Sequence, residues 1–205
     1  MLVSHKREFV YVAPPRTAST TLHRWLSQPP LCETRWSGDP AGQHNSKIPA
    51  SASGFFTFAS VRHPYARAVS LWAHSQAAPG RSQGVPTIDF GQFVRDWLPT
   101  AVWFYFRGQA EYFDGLSLDG LVRAEHLEAD LLGLRPIRAA IDEGADLEPI
   151  PRLNTTGHPP SESVVTPELA DKLAERWPGD LTLWEAAGNQ ERFSGVSETL
   201  LRPIR

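Results

Sequence analysis

The segment Phe9–Leu22, FVYVAPPRTASTTL, decides how this chain is read. An apolar run ends in Pro14-Pro15, followed by the base Arg16 and by the hydroxyls of Thr17, Ser19, Thr20 and Thr21. Leu22, Trp25 and Leu26 then recur at helical spacing. The pattern is strand, tight turn, helix, and the turn is equipped to hold an anion. Backbone N–H groups at a helix start lack intrahelical partners, the helix dipole favours negative charge there, and Arg16 adds a forked, permanently charged donor. A plainer reading stands beside this one: Ser19 or Thr20 as an ordinary N-cap. The nucleotide-loop pattern GxxxxGK[ST] is absent, and no glycine occurs between Phe9 and Leu22. Ala18 and Ser19 therefore provide the close backbone approach, which argues against an ordinary ATPase or GTPase.

A second unit of the same kind follows. Phe55–Val61, FFTFASV, reads as a buried strand, and Arg62-His63-Pro64 comes directly after it. Pro64 suits the first position of a helix, which continues through Tyr65–Ser75 with Val69 and Trp72 on one side. Two strand–turn–helix units in succession predict an α/β fold of P-loop-like, three-layer form, with a central parallel sheet flanked by helices. Ligands of such sheets bind beyond the C-terminal ends of the strands, which is where Arg16 and Arg62 would both lie. Between the units, Cys32–Ser53 has no period and holds Arg35, Trp36, His44, Asn45 and Lys47, a long loop of the kind that carries function.

Further along, Ile88–Leu98 has the spacing of an amphipathic helix. Ala101–Phe113 is dense in aromatic residues, read as core and cleft wall. Leu118–Ala124 reads as a short strand with Glu125 at its end, and His126–Leu134 as a helix. Pro136–Gly144 reads as another helix, and Pro149–Pro160 as a loop carrying Arg152, Asn154, Thr155 and Thr156. Thr166-Pro167-Glu168 opens a helix to Trp177 with cap and proline in the usual order. Asp180–Ala187 forms the last helix.

The 205 residues fit one domain, 1–205, with 190–205 as a loosely packed tail. A formal net charge of -3 gives no global basic field for nucleic acid, so any anion site must be local. Cys32 is the only cysteine, which rules out an internal disulfide and suits a reducing compartment. Residues 1–8, MLVSHKRE, are charged where a secretory signal would be apolar. No run reaches the ~20 apolar residues of a membrane span. These features lead to the expectation of a cytoplasmic protein without a membrane span.

Arg16-Thr17-Ala18-Ser19-Thr20-Thr21-Leu22 resembles the 5′-phosphosulfate loop of sulfotransferases that use 3′-phosphoadenosine 5′-phosphosulfate (PAPS). It is most similar to the carbohydrate branch, in its Golgi-type and bacterial forms. Val61–Trp72, VRHPYARAVSLW, is similar to that family's 3′-phosphate motif: an Arg at a strand end, a Pro two later, a Ser eight after the Arg. The later order of Glu125, the Asn154 loop and the Thr166-Pro167-Glu168-Leu169 helix start also looks like the family. The resemblance spans roughly residues 8–187 and is sharp only in the first two motifs.

The resemblance implies transfer of a sulfuryl group from PAPS to a hydroxyl of a carbohydrate, glycolipid or small metabolite, with 3′-phosphoadenosine 5′-phosphate (PAP) as product and no metal. It implies that Arg16, Thr17, Ala18, Ser19, Thr20 and Thr21 bind the phosphosulfate, and that Arg62 and Ser70 bind the 3′-phosphate. Arg152 or Asn154 would close over the nucleotide. The family usually has Lys where this chain has Arg16, and Arg cannot transfer a proton, so Arg16 would act by charge. His44 is the candidate base for the acceptor hydroxyl, with an exposed loop histidine as the plain alternative. His63, beside Arg62, reads as structural or as an adenine-side contact, with its pKa lowered by the neighbouring cation. Arg67 reads as a tie between its helix and nearby carboxylates. Two other classes remain open: an ATP-dependent, P-loop-related kinase-like enzyme, and a non-catalytic nucleotide-binding module.

Overall fold

The structure is a computed structural model that describes residues 1–33, 47–77, 84–153 and 157–189. Its centre is a four-stranded mixed sheet in the order β1 (Leu2–Ser4), β2 (Phe9–Val12), β3 (Phe56–Val61), β4 (Gly120–Arg123). The three strands β2, β3 and β4 run parallel, with Val12 opposite Ala59 and Val61 opposite Arg123. β1 corrects the expectation of a parallel sheet: it pairs antiparallel with β2 at the edge, Leu2 opposite Tyr11. Three residues are too few to show a period, and the charged turn that follows, with Glu8 at φ 51°, masks the strand in the sequence.

All four residues of β2 are fully buried, because both faces of the sheet are covered. Phe9, Tyr11 and Ala13 join Phe58 and Val122 on one face. There they pack against Leu22, Trp25 and Leu26 of α1 (Ser19–Leu26). Val10 and Val12 join Ala59, Val61 and Leu121 on the other face. The strand period of two thus divides these side chains between two cores, each large buried one contributing about 1.5–3 kcal/mol.

α1 ends at Leu26, before Pro29, and α2 spans Pro64–Gln76 with Pro64 in its first turn, as the sequence predicts. α3 (Gln109–Tyr112) precedes β4. α4 (Leu127–Gly133) and α5 (Arg135–Asp142) follow it, supplying Leu131, Ile137 and Ala140 to the face under α1. α6 (Pro167–Arg176) is capped by Thr166, whose hydroxyl accepts from Leu169 N at 3.4 Å. α7 (Asp180–Ala187) buries Ala187 against the opposite face.

The predicted helix over 88–98 is composite. Asp89 closes a capping box with Gln92, after which Phe93–Trp97 widens to a π-helix and Leu98–Thr100, with Pro99 inside it, tightens to a 3-10 turn. The wide register brings Phe93 and Trp97 into a stack at 5.6 Å, and both rings meet Phe106. Among the described residues no helix is long and apolar enough to cross a membrane.

Candidate functional site

Parallel pairing sets the C-terminal ends of β2, β3 and β4 side by side, so the turns after them converge: Ala13–Ala18, Arg62-His63 and Ala124–His126. Arg16 lies in the first, at φ 66°, and Ala18 at φ 62° is the N-cap of α1. Thr17 between them keeps a negative φ. Left-handed backbone at non-glycine residues costs about 1–3 kcal/mol each. Alternating hand of this kind turns successive N–H groups toward one concavity, the geometry of an anion nest. Ala18 makes no side-chain cap, so neither Ser19 nor Thr20 is the N-cap. Leu22 N donates to Ala18 O at 3.0 Å, and Ser19, Thr20 and Thr21 form the first turn of α1 before it.

Hydroxyls fix the loop from below. Thr17 Oγ1 donates to Pro14 O at 2.8 Å and lies 2.7 Å from Ser60 Oγ, which lies 2.8 Å from Tyr11 Oη. With each hydroxyl giving one proton, the order is Tyr11 to Ser60 to Thr17 to Pro14 O. Tyr11 is fully buried, and burial raises its pKa. The Thr17 side chain, itself fully buried, is spent on this chain. Its remaining gift to an anion is its backbone N–H.

The two motifs meet. Arg16 Nε donates to Ser70 Oγ at 3.1 Å, and Arg16 Nη1 lies 3.4 Å from His74 Nδ1. The Tyr105 side chain also hydrogen-bonds Arg16. Arg62 Nη1 donates to the carbonyl of Arg16 over a long 3.5 Å. Ser70 is fully buried, so in this state its hydroxyl serves Arg16. Arg62 is mostly buried, and that burial lowers its pKa; Glu125, 4.0 Å away, opposes the shift and the Arg16 charge adds to it. Two guanidiniums thus sit close together with one carboxylate beside them, a donor set suited to a multiply charged anion.

Around this cluster the scaffold is polar and buried. Gln109 accepts from Arg62 N at 2.7 Å and donates to Arg62 O at 2.8 Å. Arg67 is tied to a carboxylate as expected, with Nη1 3.8 Å from Asp180 Oδ2. It also does more: Nε donates to Pro15 O at 3.2 Å, Nη2 donates to Arg107 O at 2.8 Å and Tyr105 O at 3.4 Å, and the guanidinium lies over Trp177. His63 caps α2, its Nδ1 accepting from Tyr65 N at 3.3 Å, and its ring meets Trp184 and Tyr65. Its pKa is lowered by burial, not by Arg62; Glu125, Glu162 and Glu185 oppose the shift. Glu125 accepts from His63 N at 3.0 Å and Trp184 Nε1 at 3.1 Å.

Arg16, Thr17, Ala18, Ser19, Thr20, Thr21, Arg62 and Ser70 therefore form one neighbourhood. Arg152 is exposed, beyond Leu147 and Ile150, which pack on the core under α1. It takes no part in the bonds that join Arg16, Arg62 and Ser70. His44, Asn154, Thr155 and Thr156 lie outside the described residues. His74, Tyr105, Gln109 and Ser60 were not legible as site residues. His74 had one usable signal: Arg67, Ser70 and His74 fall at i, i+3 and i+7, a single face of α2. Among the described residues no group of three or more His, Cys, Asp or Glu is placed to hold a metal ion. No protein-family model, curated protein or solved structure matches the chain.

Proposed function

We propose that this chain is a PAPS-dependent sulfotransferase acting on a hydroxyl of a carbohydrate, glycolipid or small metabolite, on a P-loop-like fold. The reading rests on the two sequence motifs, and one observation carries it further. The base of the first motif bonds the serine of the second, Arg16 Nε to Ser70 Oγ at 3.1 Å, with Arg62 against the same loop. Two motifs far apart in sequence thus contribute to one cationic cradle. The donor set fits an anion with charge at both ends. Arg16 and the N–H groups of residues 16–21 would hold the phosphosulfate, and Arg62 and Ser70 the 3′-phosphate once Arg16 has turned from Ser70 to the ligand.

When bound, PAPS supplies the sulfuryl group. In the transfer the acceptor oxygen forms the new S–O bond, the bond to the phosphate oxygen breaks, and the hydroxyl proton passes to a base, His44 in this reading. Arg16 holds the negative charge that builds on the leaving phosphate, as positioning and electrostatics require for such displacements. It does so as a fixed cation and gives no proton. Charge-assisted bonds of this kind are worth about 1.5–3 kcal/mol each, so a few suffice for micromolar binding.

Calorimetric titration with PAP and with AMP, each with and without Mg²⁺, tests the proposal. Metal-independent binding that needs the 3′-phosphate is expected. Equal binding of both nucleotides, or of neither, overturns it. A parallel titration in which ATP binds only with Mg²⁺ would favour a kinase-like enzyme.

A further inference from the structure

Glu125, in the turn after β4, has both carboxylate oxygens engaged. Oε1 accepts from His63 N at 3.0 Å and Oε2 from Trp184 Nε1 at 3.1 Å. The two donors belong to separate elements, the turn after β3 and α7, and the second is itself placed. The Arg123 guanidinium lies over the Trp184 ring at 5.9 Å, and Arg123 holds Asp130 with Nε at 2.9 Å and Nη2 at 2.8 Å. The His63 ring meets Trp184 edge-on at 4.9 Å. Neutral donors on two sides thus fix this carboxylate, and it does not depend on a cation for its position.

Among the described residues Glu125 forms one ion pair, with Arg62, at 4.0 Å from Nε to Oε1. That separation is too long for a hydrogen bond, so Glu125 gives Arg62 a neighbouring charge and no directed bond. The geometry of Arg62 is set elsewhere: Gln109 clasps its backbone N and O at 2.7 and 2.8 Å, and Nη1 reaches Arg16 O. A carboxylate that compensates without orienting acts on anion binding in one direction. It offsets the repulsion between Arg62 and Arg16, a task an anion would otherwise perform, and it repels any anion that Arg62 takes. Both effects weaken binding.

We propose that Glu125 is a charge-setting residue of this site, a fixed carboxylate that limits how tightly Arg62 holds a phosphate and so lets the 3′-phosphorylated product leave. The proposal rests on the sulfotransferase reading for the identity of that phosphate. Product release sets turnover in many enzymes, and a cradle of two guanidiniums without a counter-charge would retain its product longer. The Glu125 side chain is 31% exposed, so solvent screens part of the effect.

The test uses the full chain with PAP, AMP and inorganic pyrophosphate, followed by calorimetry and stopped-flow dissociation. Glu125→Gln and Glu125→Ala are each expected to tighten PAP binding roughly three- to tenfold, to slow PAP dissociation, and to change AMP binding less. Glu125→Asp keeps the charge while losing reach to its donors, and is expected to leave PAP affinity near that of the wild type. Two charge-free variants guard against one that misfolds. A carboxylate that served only to brace the turns, or to aim Arg62, gives the opposite result: PAP binding unchanged or weaker in the Gln and Ala variants overturns the proposal. Equal tightening in Glu125→Asp overturns it too, because charge is then not the cause. If the wild type prefers PAP to AMP and the charge-free variants do not tighten PAP, Glu125 loses this role and the sulfotransferase reading stands. If the wild type binds PAP no better than AMP, the 3′-phosphate reading falls, and pyrophosphate decides for Glu125: tighter binding in the charge-free variants keeps its role for another anion, and unaltered or absent binding removes it.

Discussion

Replacing Asp180 by Asn tests whether the buried Arg67–Asp180 pair anchors the site. Both side chains are excluded from solvent, at 1% and 0% exposure, with Nη1 and Oδ2 3.8 Å apart. That is an ion-pair distance but not a hydrogen bond, and Arg67 Nη1 has no hydrogen-bond partner. Burial lowers the pKa of Arg67 and raises that of Asp180, and each charge opposes the other's shift. At this separation and an effective dielectric near 20, the attraction is about 4 kcal/mol, in line with the ~3–5 kcal/mol lost when one partner of a buried pair is removed. Asn keeps an acceptor for Ala110 N, bonded at 2.9 Å, but its amide cannot accept from Gln109 Nε2, now at 3.3 Å from Oδ2. Asp180→Asn should therefore cost roughly 3–5 kcal/mol, which for a chain of this size lowers the melting temperature by roughly 6–20 °C. Urea unfolding should show a lower midpoint at an unchanged slope. The double variant Arg67→Met/Asp180→Asn removes both charges and should cost clearly less than the sum of the single variants. A loss below about 1 kcal/mol for Asp180→Asn, or strict additivity in the cycle, would refute the reasoning.

Arg62→Ala should raise the dissociation constant for PAP by well over tenfold, about 1.4 kcal/mol or more, while AMP binding changes little; an unaltered PAP affinity in calorimetry removes Arg62 from the 3′-phosphate site. Thr17→Val keeps the shape but strands Pro14 O and Ser60 Oγ, and should cost about 1–3 kcal/mol in urea unfolding, with Thr17→Ser restoring most of it. His63 titrates with a folded pKa depressed by burial, so the unfolded chain takes up its proton first as pH falls. Its contribution is full above the unfolded value near pH 6.5 and is lost as pH drops through the lower folded value, because burial disfavours the charged ring in the folded state while the unfolded chain binds the proton freely. His63→Asn keeps a cap acceptor without titrating and should flatten the acid side of the stability–pH curve; an unchanged curve excludes His63 as its source.

The strand–turn–helix units were legible because period and punctuation agreed: continuous apolar strands, a proline at the first position of α2, Thr166-Pro167 at the start of α6. β1 was not, because strand identity in so short an element comes from its partner. The break of the 88–98 helix into π and 3-10 segments was not legible either, since the contacts that favour it, Phe106 against Phe93 and Trp97, come from outside the segment. At the site, sequence located the bases and hydroxyls but not their division of labour. Thr17 looked like a ligand donor and its hydroxyl is structural. Ser70 looked like a phosphate contact and now holds Arg16. His63 was read as shifted by Arg62, yet the shift comes from burial. Gln109 and Asp180 had no local signature at all, because their role is to satisfy groups contributed by distant residues.

The missing glycine shows how far the site depends on those distant residues. A loop that needs positive φ at two positions would ordinarily take glycine there, at no steric cost. Here Arg16 and Ala18 adopt it instead, at about 1–3 kcal/mol each. Something outside the loop must hold that backbone, and the holders are identifiable. Thr17 fixes Pro14 O, Arg67 fixes Pro15 O and Arg62 leans on Arg16 O. Thr17 is backed by Ser60 and Tyr11 of the sheet, Arg67 by Asp180 of α7, and Arg62 by Gln109 of α3. These three carbonyls of the strained turn are therefore each held by a residue that a separate element supports. It follows that damage to Asp180, far along the chain from the loop, should loosen the Arg16 loop as well as the fold. It follows also that glycine at position 18 would relieve strain locally without making any of these anchors dispensable.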